Sequence, residues 1–198
     1  DASGIDPGVG FQEFGQSRLK SRVAVANIDD IDPAHKYDLV LLIHVIEHLR
    51  SPRQVLKRIH RILNDDGLLY VECPNLAAPF ARPSRLFHTS HIYNFTPWTL
   101  AMLSDRCGFR TEQWFSADRS PNLQVLLRRA GQSHLEEPRM EVIPDSCSRT
   151  MQALHRYSDV TYHFRWNYLW SRMQKLAGYA WERLAAGRSV RRICARCQ

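Results

Sequence analysis

The sequence predicts an α/β protein with a doubly wound, mostly parallel sheet, an antiparallel strand pair at its end and a C-terminal helical extension. Strand and helix patterns alternate through residues 1–130, the order that builds parallel sheets. The run 37–43 is almost continuously apolar, as in a strand covered on both faces. The last two strand patterns, 109–115 and 123–128, are joined by seven residues, so this pair is predicted to be antiparallel.

The first part of the chain supplies two short strands and a helix. We expect residues 2–6 to end a strand, residues 11–20 to form a short helix and the β-rich run 23–28 to form a second strand. The acidic stretch 29–33 follows, which indicates a loop before the apolar strand 37–43.

Hydroxyl–proline pairs begin the next two helices. The pairs at 51–52 and 96–97 each place a capping hydroxyl before a proline at the first helical position. The turn-forming residues 64–67 are predicted to end the first of these helices. A strand at 68–73 and a loop rich in Pro, Arg and His at 76–95 separate the two helices.

Charge and pattern divide the chain into three parts. Residues 1–148 hold 17 Lys and Arg against 18 Asp and Glu, whereas residues 149–198 hold 10 against 2. We therefore expect an α/β domain at 1–130, a linker at 131–148 and a basic, aromatic-rich helical extension at 149–198. One face of that helix carries Trp166, Trp170, Met173, Ala177, Ala180 and Leu184. Such a face either packs on the body or on a second subunit of a homodimer, or contacts a membrane surface or polyanion.

Composition excludes several classes of protein. The chain is 44% hydrophobic and 24% charged, which favours a globular protein over a disordered one. It has no run of about 18 uncharged apolar residues that would span a bilayer, and its near-neutral body disfavours a uniformly basic nucleic-acid-binding domain. Five cysteines without a disulfide-like pattern predict reduced thiols and a cytoplasmic location, with peripheral membrane contact as an option.

Several segments, taken together, carry a family resemblance. They are Gly4–Pro7, Tyr37–Val40, His44–Leu49, Leu63–Val71, Pro74-Asn75, His91–Thr96 and Cys107–Phe109. In this combination the sequence resembles the class I S-adenosylmethionine-dependent methyltransferases over residues 3–128. The resemblance implies a Rossmann-like methyltransferase fold, S-adenosylmethionine as cofactor, and methyl transfer to a small-molecule or glycan acceptor at a hydroxyl.

The same resemblance predicts that a segment is missing at the start of the chain. The family's glycine-rich first loop should precede Gly4-Ile5-Asp6, but the chain begins at Asp1 without a methionine. We therefore expect an N-terminally truncated fragment, with weak cofactor binding and little activity in the chain as given.

The resemblance places the cofactor at the ends of successive strands. A carboxylate at the end of the first strand can accept both ribose hydroxyls, the loop after the second strand contacts adenine, and the end of the strand 37–43 lines the crevice. The predicted cofactor-binding residues are Asp6, Asn27, Ile28, Asp29, Ile43 and His44.

Catalytic residues are expected in the turn after His44 and in the His- and aromatic-rich loop. Methyl transfer is an in-line displacement, so the protein mainly positions the nucleophile, and a nearby histidine can take the proton of a hydroxyl. His91 is the first candidate for this base and His48 the second. Asn75, Tyr93 and Arg85 are the predicted substrate contacts.

Three alternatives stay open. The segment that contains Glu47, His48 and His91 also resembles small-RNA 3′-terminal ribose methyltransferases. In such an enzyme these three residues would hold a metal that lowers the pKa of the acceptor hydroxyl. Our main interpretation includes no metal. His44 to His48 also has the H-x-x-E-H spacing of a class of zinc metallopeptidases, but Pro52 leaves little room for the helix which that site needs. The third alternative is a non-catalytic scaffold whose basic helix binds a partner.

Overall fold

The structure is a computed structural model, and two compact units organise it. It describes residues 1–78, 87, 89–116, 120–131, 145–155, 169–170 and 172–183. The units are residues 1–31 with 163–198, and residues 32–162. The domain boundaries expected at 130 and 148 stay predictions.

The first unit contains a small parallel β-α-β arrangement. Strand β1 (Gly4–Asp6), helix α1 (Val9–Leu19) and strand β2 (Val23–Val25) follow one another, and β1 pairs in parallel with β2. Strand β2 is shorter than the predicted run 23–28, because the Asp30 carboxylate accepts the Asn27 backbone N–H at 2.7 Å and folds the chain into a 3-10 turn.

The second unit contains a four-stranded mixed sheet with two helices between its strands. Its elements are β3 (Tyr37–Ile43), α2 (Pro52–Ile62), β4 (Leu63–Pro74), α3 (Pro97–Asp105), β5 (Phe109–Ser116) and β6 (Asn122–Arg129). The strand order is β3-β4-β6-β5. Strands β3 and β4 are parallel, and β6 pairs antiparallel with both β4 and β5. The α/β class and the antiparallel terminal pair are confirmed, whereas the described strands form two sheets rather than one.

The predicted caps begin both helices between these strands. The Ser51 hydroxyl accepts the Gln54 N–H at the start of α2, and Thr96 and Thr99 form a reciprocal capping box at the start of α3. A proline occupies the first turn in each case, where its missing N–H costs nothing. Local side-chain chemistry therefore fixes where these helices begin.

The core of the second unit lies on one face of its sheet. Fully buried residues alternate along β4 and β6 and join the buried stripes of the two helices: Leu56, Ile59, Leu69, Val71, Cys73, Leu100, Leu123, Val125 and Leu127. This alternation is typical of a sheet packed on one side.

The prediction that strand 37–43 is buried on both faces is wrong. Leu39, Leu41 and Ile43 are about half exposed, and Leu42 is the buried residue of the strand. The reason is that alternate side chains of a strand point to opposite faces of the sheet, and the described core of this unit lies on one face only.

The turn predicted at 64–67 is an irregularity inside strand β4. The pairing advances from Tyr37 opposite Leu63 to Leu39 opposite Leu68, so extra residues of β4 loop out there. A Cβ at Gly67 would lie 2.9 Å from the Asn64 carbonyl oxygen, which is why this position requires glycine.

The C-terminal extension is helical wherever it is described. Helix α4 (Ser146–His155) begins earlier than the predicted helix, and residues 169–170 and 172–183 are helical. No helix among the described residues has the length and apolar character needed to cross a bilayer.

Candidate functional site

Polar side chains gather at the carboxyl ends of strands β3 and β4. His44 follows β3 and donates its backbone N–H to the Glu72 carbonyl at 2.9 Å. A 3-10 turn, Ile46–His48, comes directly afterwards. In α/β sheets, ligands bind outside the carboxyl ends of the strands. We call His44, Glu47, His48, Glu72 and His91 the carboxyl-edge cluster.

His44 lies between two carboxyl groups. Its Nδ1 is 3.3 Å from Glu47 Oε1 and its Nε2 is 3.6 Å from Glu72 Oε1. Its φ of 53° is in the left-handed region, which is unfavourable for a residue with a side chain and is held by its surroundings. The sequence predicted that His44 would line the crevice through its backbone, whereas its side chain also belongs to the cluster.

Glu47 is the buried member of the cluster. It is 1% exposed, and its Oε1 lies 3.9 Å from His48 Nε2. Within the described part of the chain, its Oε2 has no hydrogen-bond partner. A buried carboxyl oxygen without a partner is costly, so this atom is available to a proton, a donor group of a substrate or a cation. The sequence did not reveal this burial.

The protonation pattern of His48 follows from its contact with the loop. Its Nδ1 lies 2.6 Å from the Ser90 carbonyl oxygen, which can only accept a hydrogen bond. Nδ1 therefore carries the proton, and neutral His48 presents the lone pair of Nε2 toward Glu47. Its ring centroid is 5.0 Å from that of His91. The two predicted catalytic histidines are thus brought together, with His48 oriented to accept a proton.

Three members of the cluster could also hold a cation. Glu47, His48 and His91 each offer one ligand atom, and these atoms lie within 4.8 Å of one another. A carboxylate with two imidazoles suits zinc and other transition metals. The bond from His48 to Ser90 would orient the ring as outer-shell contacts of metal ligands do.

Glu72 supplies a fixed negative charge beside His44. Its carboxylate accepts hydrogen bonds from Gln124 at 3.0 Å, Asn122 at 3.1 Å and the Tyr70 hydroxyl at 3.0 Å. These donors, Gln124 first, hold the pKa of Glu72 below its ordinary value, and burial raises the pKa of Tyr70. The sequence analysis missed Glu72, although its alternation with apolar residues in β4 signalled that it lies on the sheet face opposite the core.

The predicted substrate residues have different surroundings. Asn75 is buried, and its amide binds the Ser120 carbonyl and the Ala77 N–H, so it holds the turn after β4. Tyr93 donates its backbone N–H to the Glu47 carbonyl at 3.1 Å, which places it beside the cluster. Arg85 lies outside the described residues. Substrate contact by these residues stays a prediction.

The predicted ribose and adenine contacts lie in the first unit. Asp6 ends β1 and accepts the Gly8 N–H at 2.6 Å through Oδ1. Asn27, Ile28 and Asp29 follow β2 and begin its 3-10 turn. Since β1 and β2 are parallel, all four residues lie at one edge of this sheet. Ile43 ends β3 in the second unit. The cofactor roles of these residues stay predictions.

The metallopeptidase geometry is not formed. An H-x-x-E-H site needs one helix through both histidines, but His44 has a left-handed backbone and the helical turn covers only Ile46–His48. The two histidines therefore do not lie on one helix face, and this alternative is wrong.

Comparison with known sequences gives one family and one curated relative. The sequence model of a methyltransferase domain matches residues 1–135. The (S)-coclaurine N-methyltransferase of Papaver somniferum is 29% identical over 112 residues, which cover 52% of this chain and 32% of that protein. The chain thus spans about a third of the length of this relative.

Solved structures share the fold at low identity. The 1,6-didemethyltoxoflavin-N1-methyltransferase of Burkholderia thailandensis matches with a TM-score of 0.51 at 18% identity, over 64% of this chain and 60% of that one. A SAM-dependent methyltransferase of Archaeoglobus fulgidus matches with a TM-score of 0.54 at 15% identity, over 65% and 76%. At these identities, both similarities show a shared fold and nothing more.

Proposed function

This chain belongs to the class I S-adenosylmethionine-dependent methyltransferases, and from that membership we propose that it binds S-adenosylmethionine and transfers the methyl group to a small molecule. The observation that carries the proposal is the carboxyl-edge cluster, where His48 presents Nε2 beside the buried carboxyl group of Glu47. It lies where α/β sheets bind their ligands.

The proposed reaction uses the cluster to position the acceptor and to remove its proton. His48 Nε2 would take a proton from the acceptor, and this frees the lone pair that forms the bond to the methyl carbon. Bound S-adenosylmethionine would supply the methyl group, with the electron pair of the broken carbon–sulfur bond staying on sulfur as S-adenosylhomocysteine leaves. Positioning supplies much of the rate enhancement in such an in-line displacement, and a placed base typically adds about a hundred- to ten-thousand-fold.

An amine is the acceptor that we propose. Among the described residues, the carboxyl groups of Glu47 and Glu72 pair with His44 and His48 and not with a lysine or arginine. These carboxyl groups therefore favour a cationic amine over an anion as the acceptor. The curated relative is named as an N-methyltransferase, which supports the same choice. The hydroxyl of a small molecule or glycan, predicted from the sequence, is the competing acceptor.

Cation-assisted methyl transfer to a hydroxyl is the second candidate. The spacing of Glu47, His48 and His91 and the unpartnered Oε2 of Glu47 favour it. A bound cation would lower the pKa of the hydroxyl that it contacts. Elemental analysis of protein purified without a His-tag tests this version: one metal per chain, lost in Glu47→Gln, supports it, and a metal-free wild type excludes it.

Calorimetry with S-adenosylhomocysteine tests cofactor binding. The ligand is titrated into this chain. We expect heat of binding at millimolar ligand, and no heat at that concentration would contradict the proposal.

A product assay distinguishes the acceptors. S-adenosylhomocysteine release is measured with a panel of small amines and their matched alcohols. His48→Asn should lower turnover by about a hundred- to ten-thousand-fold. His35→Gln is the control, because His35 is an exposed histidine paired with Asp32. If only the alcohols are turned over, the acceptor is a hydroxyl and the proposal of an amine is wrong.

The partners and location of the protein also stay proposals. We propose a small-molecule substrate, a cytoplasmic location and peripheral membrane contact through the basic helical extension. A homodimer is the competing use of that helix.

A further inference from the structure

The described part of the C-terminal extension exposes large apolar side chains. Trp170, Met173 and Trp181 are 61%, 65% and 69% exposed, and Leu169 and Leu176 are about half exposed. We call these five residues the aromatic face. Contiguous exposed apolar surface on a protein commonly marks an interaction site.

Helical geometry gathers these residues on one side. At about 100° per residue, Leu176, Leu169, Met173, Trp170 and Trp181 fall within an arc of about 140°. The intervening Ala177 and Ala180 lie within the same arc. The segment is therefore amphipathic in the way that core-facing helices are, yet its apolar side is exposed.

Basic residues occupy the other side of the same segment. Arg172, Lys175 and Arg183 lie outside the apolar arc, and Glu182 is the one acidic residue of 172–183. Arg172 and Arg183 border the arc next to Leu176, where their long side chains can reach past the apolar face toward charged groups. The whole stretch 149–198 carries 10 basic residues against 2 acidic ones.

We propose that the aromatic face inserts into the headgroup–acyl boundary of an anionic lipid membrane. Tryptophans on the apolar side and Lys/Arg on the polar side are the composition of interfacial helices. Anionic headgroups complement the basic side, each Lys or Arg near the surface adding about fivefold to binding.

Repulsion between like charges also disfavours a symmetric dimer formed through the aromatic face. A two-fold interface brings the same patch of both copies together. Here it would bring together the C-terminal extensions of two copies, and residues 149–198 of each hold 10 basic and 2 acidic residues. Like charges across an interface oppose association. A lipid surface of opposite charge removes that repulsion.

Vesicle flotation of the full chain tests the inference. The probes are vesicles of phosphatidylcholine alone and of phosphatidylcholine mixed with phosphatidylglycerol. The wild type should float with the mixed vesicles, and added salt should weaken its binding. Absence of binding to the mixed vesicles at millimolar lipid would overturn the inference.

Two variants separate the electrostatic part from the insertion. The triple variant R172Q/K175Q/R183Q should lower the partition coefficient on the order of 100-fold. Its matched control, R53Q/K57Q/R61Q, makes the same charge change on exposed residues of α2 and should change binding less than about twofold. Equal losses in both triple variants would show a non-specific charge effect and refute the site.

The apolar part has its own variant. W170Q/W181Q should lower the partition coefficient by at least about tenfold at unchanged charge, with circular dichroism melting as the check that the chain still folds. Wild-type binding in this variant would refute insertion. A wild-type dimer that becomes monomeric in W170Q/W181Q, without vesicle binding by either, would identify the face as a contact between copies and overturn the membrane inference.

Discussion

Replacing His48 by asparagine separates the roles of its two ring nitrogens. An asparagine amide can occupy the place of Nδ1 and still donate to the Ser90 carbonyl, which now lies 2.6 Å from the ring nitrogen. Asparagine has no atom at the place of Nε2, which lies 3.9 Å from Glu47 Oε1. The variant therefore removes the proposed proton acceptor and keeps the contact with the loop.

The expected loss follows from this geometry. Without the base, kcat should fall by about a hundred- to ten-thousand-fold, while the free energy of unfolding should change little. His48→Gln is the companion variant, because its longer side chain reaches the place of Nε2 but loses the bond to Ser90. It should lose about 0.5–1.5 kcal/mol of stability and also most activity.

The assay is S-adenosylhomocysteine release with the best acceptor of the amine panel, combined with urea unfolding of each variant. A kcat within about threefold of wild type in a folded His48→Asn would refute the role of His48 as base.

Three further predictions concern the stability of the second unit. Hydrogen bonds from Gln124 and other groups lower the pKa of Glu72 in the folded state. The stability that Glu72 contributes is therefore present above its unfolded pKa of 4.5 and is lost as the pH falls through its folded pKa. Glu72→Gln should reduce the loss of unfolding free energy at acid pH, as measured by urea unfolding, and an unchanged loss would contradict this prediction. Burial lowers the pKa of His60 below 6.5, so the free energy of unfolding should fall as the pH drops below 6.5. His60→Gln should remove this loss. A loss that persists in the variant would show that another group causes it. Gly67→Ala should cost about 1–3 kcal/mol in urea unfolding, because its Cβ would meet the Asn64 carbonyl oxygen at 2.9 Å, and a neutral result would show that the strand irregularity relaxes.

Local sequence chemistry predicts the parts of the fold that depend on neighbours in the chain. The hydroxyl–proline pairs at 51–52 and 96–97 begin helices where expected, because the capping atoms and the orphan N–H groups are three residues apart. Parallel and antiparallel pairing followed from connection lengths. These features need no knowledge of distant residues.

Features of the site that depend on distant residues could not be predicted in this way. The tautomer of His48 is set by Ser90, 42 residues along the chain, and the low pKa of Glu72 is set by Gln124, 52 residues away. The apolar run 37–43 did not indicate that β3 is an edge strand, because an edge strand and a central one share the same pattern. Residue types therefore predicted His48 and His91 as site residues, whereas contacts across the sheet were needed to place Glu72 in the cluster.

The most direct measurement is a long-range ¹H–¹⁵N NMR spectrum of the histidine rings, recorded with and without S-adenosylhomocysteine. We expect the neutral form of His48 to carry its proton on Nδ1. We also expect the ring signals of His44 and His48 to shift when the ligand is added, while those of His35 stay unchanged. A protonated Nε2 on neutral His48, or bound ligand without a shift at His44 and His48, would contradict a methyl-transfer site at the carboxyl edge of β3 and β4.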